Sequence, residues 1–326
     1  MKNISKSILS IFIIALSLTS CSSDSKETNK PQAPPTPGSV KDVYVCGYEK
    51  KAPSGNLVAT YWKNGIPVYL TDGSRNARLF DIEVVENDVY ACGFEYNPSI
   101  SSITPKYWKN GFPIDLSTKI GIANCIAVSD NNIYIGGDVS GKPVYWLNDA
   151  ADRKDLSTNF GTVKDIKFIE TASGTTVYSV GKDDNKAVYW KNSDVKVLLS
   201  TSGSANSLQI VNTDLYITGQ NIDVLGYWKN TTFTPGVGFY GINVVNNDVY
   251  TCSANGTGNA TYWKNTTPNV INTNISSVAN DIVVANGNVY TCGALSSKAI
   301  YWINNTAFPL SAVNSESYRI FLTYYF

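Results

Sequence analysis

The composition of this chain restricts the side chains that could carry out acid–base or nucleophilic chemistry. Its 326 residues include 26 acidic and 26 basic residues and six cysteines, but no histidine. The absence of histidine removes the commonest general base, the Ser/His/Asp and Cys/His arrangements, and the usual catalytic zinc sites. The chain also has no Walker loop, no Rossmann glycine pattern and no GxSxG nucleophile turn. From the sequence we therefore assign no catalytic residue, no metal ligand and no cofactor.

Acidic residues are the remaining candidates for chemistry. Glycoside cleavage needs two carboxyl groups about 5–10 Å apart, and Glu49 and Glu95 are expected on adjacent loops. Nothing in their spacing distinguishes this pair from other acids. Two acidic segments, 149–152 and 183–185, lack the alternating ligand spacing of a calcium loop, so we predict solvated turns there.

One repeated motif, which contains all seven tryptophans, predicts the secondary structure that positions these side chains. Each tryptophan is preceded by tyrosine and followed two residues later by asparagine. The first and last, Trp62 and Trp302, are 240 residues apart across six intervals, which gives a mean period of 40 residues. This period, with four short apolar segments in each copy, is typical of a β-propeller blade. In the clearest copy, strands are predicted at 279–285, 288–293, 298–303 and 308–310, with a hairpin turn at 286–287.

The two ends of the repeat region are complementary. The region begins at residue 41 with a second strand that has no first strand before it. Residues 317–326 match a first strand with no second strand after it. Together they complete one blade and leave no open edge in the ring. We therefore predict an all-β fold: a seven-bladed β-propeller over residues 41–326, closed by the C-terminal strand completing the first blade.

Residues that recur at one position in every blade are predicted to pack in the core. The tryptophans are therefore expected between blades and not in a ligand site. Four cysteines share one repeat position where other copies have glycine, valine or threonine, which indicates a small buried slot. Cys125 lies in a first strand. We predict that all five are free, buried thiols: Cys46, Cys92, Cys125, Cys252 and Cys292.

Two adjacent positions near the start of the first strands vary from blade to blade, whereas their neighbours stay small or apolar. These positions are predicted near the mouth of the channel, on the face where the loops between strands two and three and between blades emerge. Aromatic and polar side chains suit the ring faces and hydroxyl groups of sugars. The alternative is a variable solvated rim, in which Asp81 and Arg319 of adjacent blades pair with each other. The candidate ligand contacts are Phe80, Asp81, Lys164, Tyr240, Tyr318 and Arg319.

The N-terminal segment has the features of an exported, lipid-anchored protein. Residues 1–20 are a predicted signal peptide, with two lysines before an apolar run at 8–18 that is too short to span a bilayer. Residues 18–21 (Leu-Thr-Ser-Cys) resemble the lipobox of bacterial lipoproteins, which implies cleavage before Cys21 and acylation of Cys21. Residues 21–40, rich in serine and proline, are a predicted linker. The serines and acid after Cys21 resemble a surface-export signal of Gram-negative lipoproteins.

The whole repeat region is similar to that of bacterial propeller lipoproteins with Tyr-Trp-Lys-Asn-Gly repeats. The Tyr-Trp pair also resembles the YWTD repeats of receptor ectodomains, although those rings have six blades. We predict a monomeric domain of the cell envelope, held at the outer membrane with exposure at the cell surface left open, that binds a glycan or a protein without catalysis. A histidine-free carbohydrate-active enzyme and a scaffold subunit of an outer-membrane complex are the alternatives. The balanced charge argues against a nucleic-acid partner.

Overall fold

The computed structural model describes residues 36, 38–51, 55–129, 132–272 and 276–325. The predicted signal peptide, Cys21 and most of the predicted linker lie outside the described residues. Every regular element in the described part of the chain is a β-strand, and the 28 strands there form seven four-stranded antiparallel sheets. The prediction of an all-β, seven-bladed propeller is confirmed. The described residues contain no helix long and apolar enough to cross a membrane.

Most blades take their four strands consecutively from the chain. The first three strands belong to blade 1: β1 (Val40–Lys50), β2 (Leu57–Lys63) and β3 (Ile66–Tyr69). Blades 2 to 4 comprise β4 (Ala77–Val85), β5 (Asp88–Asn97), β6 (Ser102–Lys109), β7 (Phe112–Asp115); β8 (Gly121–Val128), β9 (Ile133–Val139), β10 (Lys142–Leu147), β11 (Arg153–Asp155); and β12 (Gly161–Thr171), β13 (Gly174–Asp183), β14 (Lys186–Lys191), β15 (Val195–Ser200). Blades 5 to 7 comprise β16 (Gly203–Val211), β17 (Asp214–Asn221), β18 (Val224–Lys229), β19 (Thr232–Pro235); β20 (Ile242–Val245), β21 (Asp248–Ala254), β22 (Ala260–Lys264), β23 (Thr267–Val270); and β24 (Ser277–Ala285), β25 (Asn288–Leu295), β26 (Lys298–Ile303), β27 (Thr306–Pro309).

The last strand, β28 (Ser315–Tyr324), returns to blade 1 and becomes its innermost strand. It pairs antiparallel with β1, and Ile320 lies opposite Val45. It contacts β24 of blade 7 on one side and β4 of blade 2 on the other. The predicted closure is therefore confirmed, with the strand two residues earlier than expected. Just beyond the end of this strand pair, the N–H of Tyr325 donates to the carbonyl of Ser39, and the N–H of Gly38 donates to the carbonyl of Tyr325.

The repeated tryptophans lie between neighbouring blades, as predicted, for six of the seven copies. Trp62 of blade 1, for example, packs with Tyr290 and Tyr301 of blade 7. These six side chains are buried: Trp62, Trp108, Trp146, Trp190, Trp228 and Trp302. Trp263 is only partly buried, in the blade whose inner strand β20 has four residues and covers less of its sheet.

The asparagine of the repeat ends each third strand in a left-handed turn. At Asn64 φ is 51°, and the following Gly65 has φ of 82°, a region that asparagine and glycine tolerate best. The Asn64 side-chain oxygen accepts a hydrogen bond from the backbone N–H of Val43 at 2.8 Å. The same bond recurs in every blade. The repeat thus encodes both the core side chain and the turn that follows it.

The five described cysteines are free and fully buried, as predicted. Burial raises the pKa of each thiol well above its ordinary value. These cysteines therefore act as small core residues.

Candidate functional site

The ring has two distinct ends. Ala77, at the start of β4, pairs with Glu95 near the end of β5, and Asn97 pairs with Ser102 at the start of β6. The connections between blades and those between second and third strands therefore leave from one end, which we call the loop face. The opposite end carries the hairpins between strands one and two and between strands three and four, and we call it the hairpin face.

The variable position found in the sequence coincides with a β-bulge in the inner strands of six described blades. In blade 2, Leu79 pairs with Gly93 and Asp81 with Cys92, so Phe80 is the extra residue. A bulge leaves one residue outside the regular pairing and redirects its side chain. The bulge residues are Phe80, Asn124, Lys164, Asn206, Asn280 and Tyr318.

The asparagines at this position connect neighbouring blades. The side-chain amide of Asn124 donates to the carbonyl of Val163 at 2.8 Å, and that of Asn280 donates to the carbonyl of Ser317 at 2.8 Å. In these blades the variable position has a structural role. The sequence variation therefore does not by itself mark a ligand contact.

A buried ion cluster occupies the channel, with Arg319 of β28 at its centre. Its guanidinium Nε lies 2.8 Å from Asp81 Oδ1, Nη2 lies 2.9 Å from Asp165 Oδ1, and Nη1 lies 3.6 Å from Asp281 Oδ1. The three aspartates are buried and belong to blades 2, 4 and 7. Asp81 and Arg319, which we predicted as ligand contacts, thus pair with each other inside the channel. This pairing is the alternative raised from the sequence, and the role of Asp81 and Arg319 as ligand contacts stays a prediction.

The same aspartates also bind the backbone of the next blade. Asp81 Oδ2 accepts from the N–H of Ile126 at 2.9 Å, and Asp165 Oδ2 accepts from that of Leu208 at 2.9 Å. Asp281 Oδ2 accepts from the N–H of Ile320 at 3.0 Å. This role was not predicted from the sequence, although aspartate recurs at one repeat position in three copies.

In the channel, burial raises the pKa values of the carboxyl groups, and neighbouring positive charges lower them. Burial favours the neutral form of Asp165, but the charges of Arg319 and Lys167 outweigh it and lower the pKa. For Asp281, burial dominates and raises the pKa to about 6. Burial likewise raises the pKa of Glu83, which lines the channel beyond Asp81, to about 7. These two carboxyl groups hold a proton more tightly in the folded protein than in the unfolded chain.

Lowering the pH from 8 to 5.5 is therefore expected to raise the melting temperature. Glu83 and Asp281 have higher pKa values in the folded protein than in the unfolded chain. The stabilisation that they contribute to the free energy of unfolding is therefore lost as the pH rises from about 4 to 7 and is regained when the pH is lowered. Glu83→Gln should raise the melting temperature at pH 8 by a few degrees and flatten its pH dependence. Glu170→Gln on an exposed strand end is the control. A Glu83→Gln variant that melts no higher than the wild type at pH 8 would contradict this explanation.

The aromatic candidates come together at the loop face. The rings of Phe80 and Tyr318 are 5.2 Å apart. The Tyr318 hydroxyl donates to Glu316 Oε2 at 2.9 Å and accepts from Arg78 Nη1 at 3.3 Å. Tyr318 is therefore held in a packed, hydrogen-bonded position.

The two other candidates are more accessible. Tyr240 is 38% exposed and packs against the ring of Phe239 at 4.3 Å. Lys164 is also exposed but belongs to blade 4, whereas Phe80 and Tyr318 belong to blades 2 and 1. The structure thus groups Phe80 with Tyr318 and leaves Lys164 on another part of the ring.

Two neighbouring pockets lie on the loop face over blades 6, 7, 1 and 2, and together we call them the loop-face groove. Tyr48 and Asn314 line both of its parts. The first, the blade 7 part, has a volume of about 490 Å³ and is lined mainly by Tyr48, Tyr240, Ser276, Asn280, Ser296, Asn314 and Glu316. The second, the blade 2 part, has a volume of about 610 Å³ and is lined mainly by Tyr48, Lys50, Asn56, Asn76, Arg78, Phe94, Tyr96 and Asn314.

The other acidic candidates form ion pairs or hydrogen bonds with side chains of the same protein. Glu95 forms an ion pair with Lys106 at 2.8 Å, and Glu49 accepts a hydrogen bond from the Tyr69 hydroxyl at 3.3 Å. The prediction of a solvated turn is wrong for Asp183, which is buried because Lys196 and Ser157 bind its carboxylate. No group of three or more histidine, cysteine or acidic residues that could hold a metal is found among the described residues.

Comparisons with known proteins show similarity only at the level of overall shape. No protein-family model and no curated protein sequence matches the chain. One similar solved structure is the extracellular domain of a hybrid two-component system from B. thetaiotaomicron, with 13% identity, a TM-score of 0.46, and 84% of this chain and 40% of that chain covered. Kuenenia stuttgartiensis hydrazine synthase has 9% identity, a TM-score of 0.45, and coverage of 88% and 47%. A Trypanosoma rangeli sialidase in complex with sialic acid has 10% identity, a TM-score of 0.40, and coverage of 88% and 53%. The chain thus spans 40 to 53% of the length of these structures, and we draw no function from them.

Proposed function

We propose that this chain is a non-catalytic glycan-binding module, held outside the cell at an outer membrane by a lipid on Cys21. The location and the anchor rest on the sequence of the signal segment. The loop-face groove is the observation that carries the binding function. Its two parts, of about 490 and 610 Å³, have the size of ligand sites and are open along the surface.

The side chains of the groove suit sugars. Tyr48 and Tyr240 offer aromatic surface against which the C–H faces of a pyranose ring can pack. Asn314 and several serines offer hydrogen-bond donors and acceptors for hydroxyl groups. Glu316 is the only acid among the described residues that line either part. Since glycoside hydrolysis ordinarily uses two carboxyl groups, this lining favours binding over cleavage.

Tyr240→Ala is expected to weaken glycan binding at least tenfold and to leave the melting temperature within a few degrees of the wild type. The reason is that Tyr240 is already partly exposed, so its truncation removes contact area with a ligand more than core packing. Binding would be measured on a glycan array and by affinity electrophoresis, with chromatography to detect released sugars.

The control for this test is Phe112→Ala, which removes a side chain that is 75% exposed at the hairpin face. Unchanged binding by Tyr240→Ala, or loss of binding by Phe112→Ala, would place the site elsewhere. Release of shorter sugars from a bound glycan would favour the alternative of a carbohydrate-active enzyme.

A protein ligand is the second candidate. Ile120, Phe160 and Ile222 lie in connections at the loop face and are exposed to 49%, 76% and 55%. An exposed aromatic side chain such as Phe160 is a common anchor in protein interfaces. These residues belong to the blade 3 to blade 5 side of the ring, so a protein partner and a glycan in the loop-face groove would contact different residues.

A further inference from the structure

Arg78 has an unusual environment for an arginine at the loop face. Its guanidinium carbon lies 4.6 Å from the centroid of the Tyr48 ring, and Nη1 donates to the Tyr318 hydroxyl. No carboxylate of the described residues lies within 4.0 Å of it, and its Nε is buried without a hydrogen-bond partner there. The side chain is therefore held in place by an aromatic ring and a hydroxyl, and no carboxylate of the described residues pairs with its charge directly.

The surroundings of Arg78 are cationic. The blade 2 part of the loop-face groove is lined by both Lys50 and Arg78 and by no acidic residue among those described. The ammonium group of Lys50 likewise forms no ion pair with a described residue. Glu316 lines the blade 7 part, and its carboxylate is linked to Arg78 through the Tyr318 hydroxyl. The positive charge at this part of the groove is therefore a local feature, since the formal net charge of the whole chain is zero.

We propose that the blade 2 part of the groove is a subsite for the carboxylate of a hexuronic acid residue in an acidic polysaccharide. This inference rests on the proposed glycan-binding function and specifies its ligand class. Besides the N–H bonded to Tyr318, the Arg78 guanidinium has a second N–H on Nη1 and two on Nη2, and N–H groups on adjacent guanidinium nitrogens can donate side by side to a carboxylate. Tyr48 fixes the plane of that guanidinium before the ligand arrives, and Lys50 supplies a second positive charge. The neighbouring sugar residues occupy the blade 7 part, where the side chains are mostly uncharged.

The test compares matched acidic and neutral polymers on the full-length protein. The probes are unsulfated polygalacturonate, alginate and hyaluronan, each alongside its carboxyl-reduced, neutral form. Affinities are measured by isothermal titration calorimetry at two salt concentrations. The variants are Arg78→Gln, Arg78→Lys and the control Arg75→Gln, which removes the same charge three residues away at an exposed position outside the groove lining.

The expected result is that at least one acidic polymer binds and that its reduced form binds at least tenfold more weakly. Arg78→Gln should lose affinity for the acidic polymer by a similar factor, as expected for removal of a charge-assisted fork. Arg78→Lys should retain only part of the affinity, because it keeps the charge but not the fork. Arg75→Gln should bind like the wild type.

Four outcomes would overturn the subsite. Equal binding of acidic and reduced polymers would disprove it while leaving the glycan-binding function intact. Equal losses in Arg78→Gln and Arg75→Gln would show a general charge effect. Binding of no polymer, acidic or neutral, would overturn the proposed function together with the subsite. Should Arg78→Gln unfold, Arg78→Lys decides, since a folded Arg78→Lys variant with wild-type affinity also contradicts the proposal.

Discussion

Removal of residues 318–326 is expected to abolish the cooperative folding of the ring. The truncation deletes most of β28, which is the inner strand of blade 1, and with it the buried side chains of Ile320 and Leu322. Each of these side chains contributes about 1.5–3 kcal/mol through burial, and Arg319 is lost with them. The edge of β1 is then exposed and can pair with another chain. Circular dichroism melting and size-exclusion chromatography should show no transition near the wild-type temperature and large aggregates.

A circular permutant provides the matched rescue for this truncation. Tyr324 at the end of β28 lies opposite Val40 at the start of β1. Moving residues 312–326 in front of residue 38 therefore makes the inner hairpin of blade 1 continuous in the chain. We expect the permutant to recover a cooperative transition close to that of the wild type. A truncated protein that melts within a few degrees of the full-length protein would disprove the role of β28 in closing the ring.

Arg319→Leu is expected to lower the free energy of unfolding at neutral pH by about 3–5 kcal/mol, the usual cost of removing one partner of a buried ion pair. The substitution leaves three buried carboxylates, Asp81, Asp165 and Asp281, without their shared cation. Urea unfolding at pH 7.5 and pH 5 measures the effect. The defect should shrink at pH 5, because a carboxylic acid that becomes protonated no longer needs the guanidinium.

The control for Arg319→Leu is Arg153→Leu, which breaks a surface ion pair with Asp155. An exposed pair of this kind contributes at most about 1 kcal/mol. Adding Asp81→Asn to Arg319→Leu should recover part of the lost stability, since the amide oxygen can still accept the N–H bond of Ile126. An Arg319→Leu protein as stable as the control would show that the cluster has little energetic importance.

The fold could be predicted from the sequence because its determinants are local and repeated. The spacing of the Tyr-Trp-Lys-Asn motif encodes a blade, and Asn64 and its equivalents encode the turn that ends each third strand. The unpaired strands at residues 41 and 317 were enough to predict closure. None of these predictions depends on which blades face each other across the channel.

The candidate site could be predicted only in part, because its contacts join residues that are far apart in the chain. Arg78 meets Tyr318 across 240 positions, and Arg319 meets Asp165 across 154. Variation along one strand position singled out Tyr240, which lines the groove, and Tyr318, whose hydroxyl bonds to Arg78 of the lining. It could not separate them from Asn280, whose amide binds the next blade. Tyr48 and Arg78 were not predicted as site residues, because the groove is lined by the ends of different strands in several blades.

The position at which the chain enters the propeller has a consequence for how a ligand would be presented. Val40 and Tyr324 meet at the hairpin face, because β1 runs from there towards its loop with β2 at the opposite end. Under the proposed acylation of Cys21, the tether would join the ring on the side away from the loop-face groove, and the 17 residue steps from Cys21 to Gly38 would span at most about 60 Å when fully extended. The point of attachment would then leave the groove uncovered by the tether. Long polymers could then lie across several neighbouring copies at once, and weak single contacts would add up through avidity.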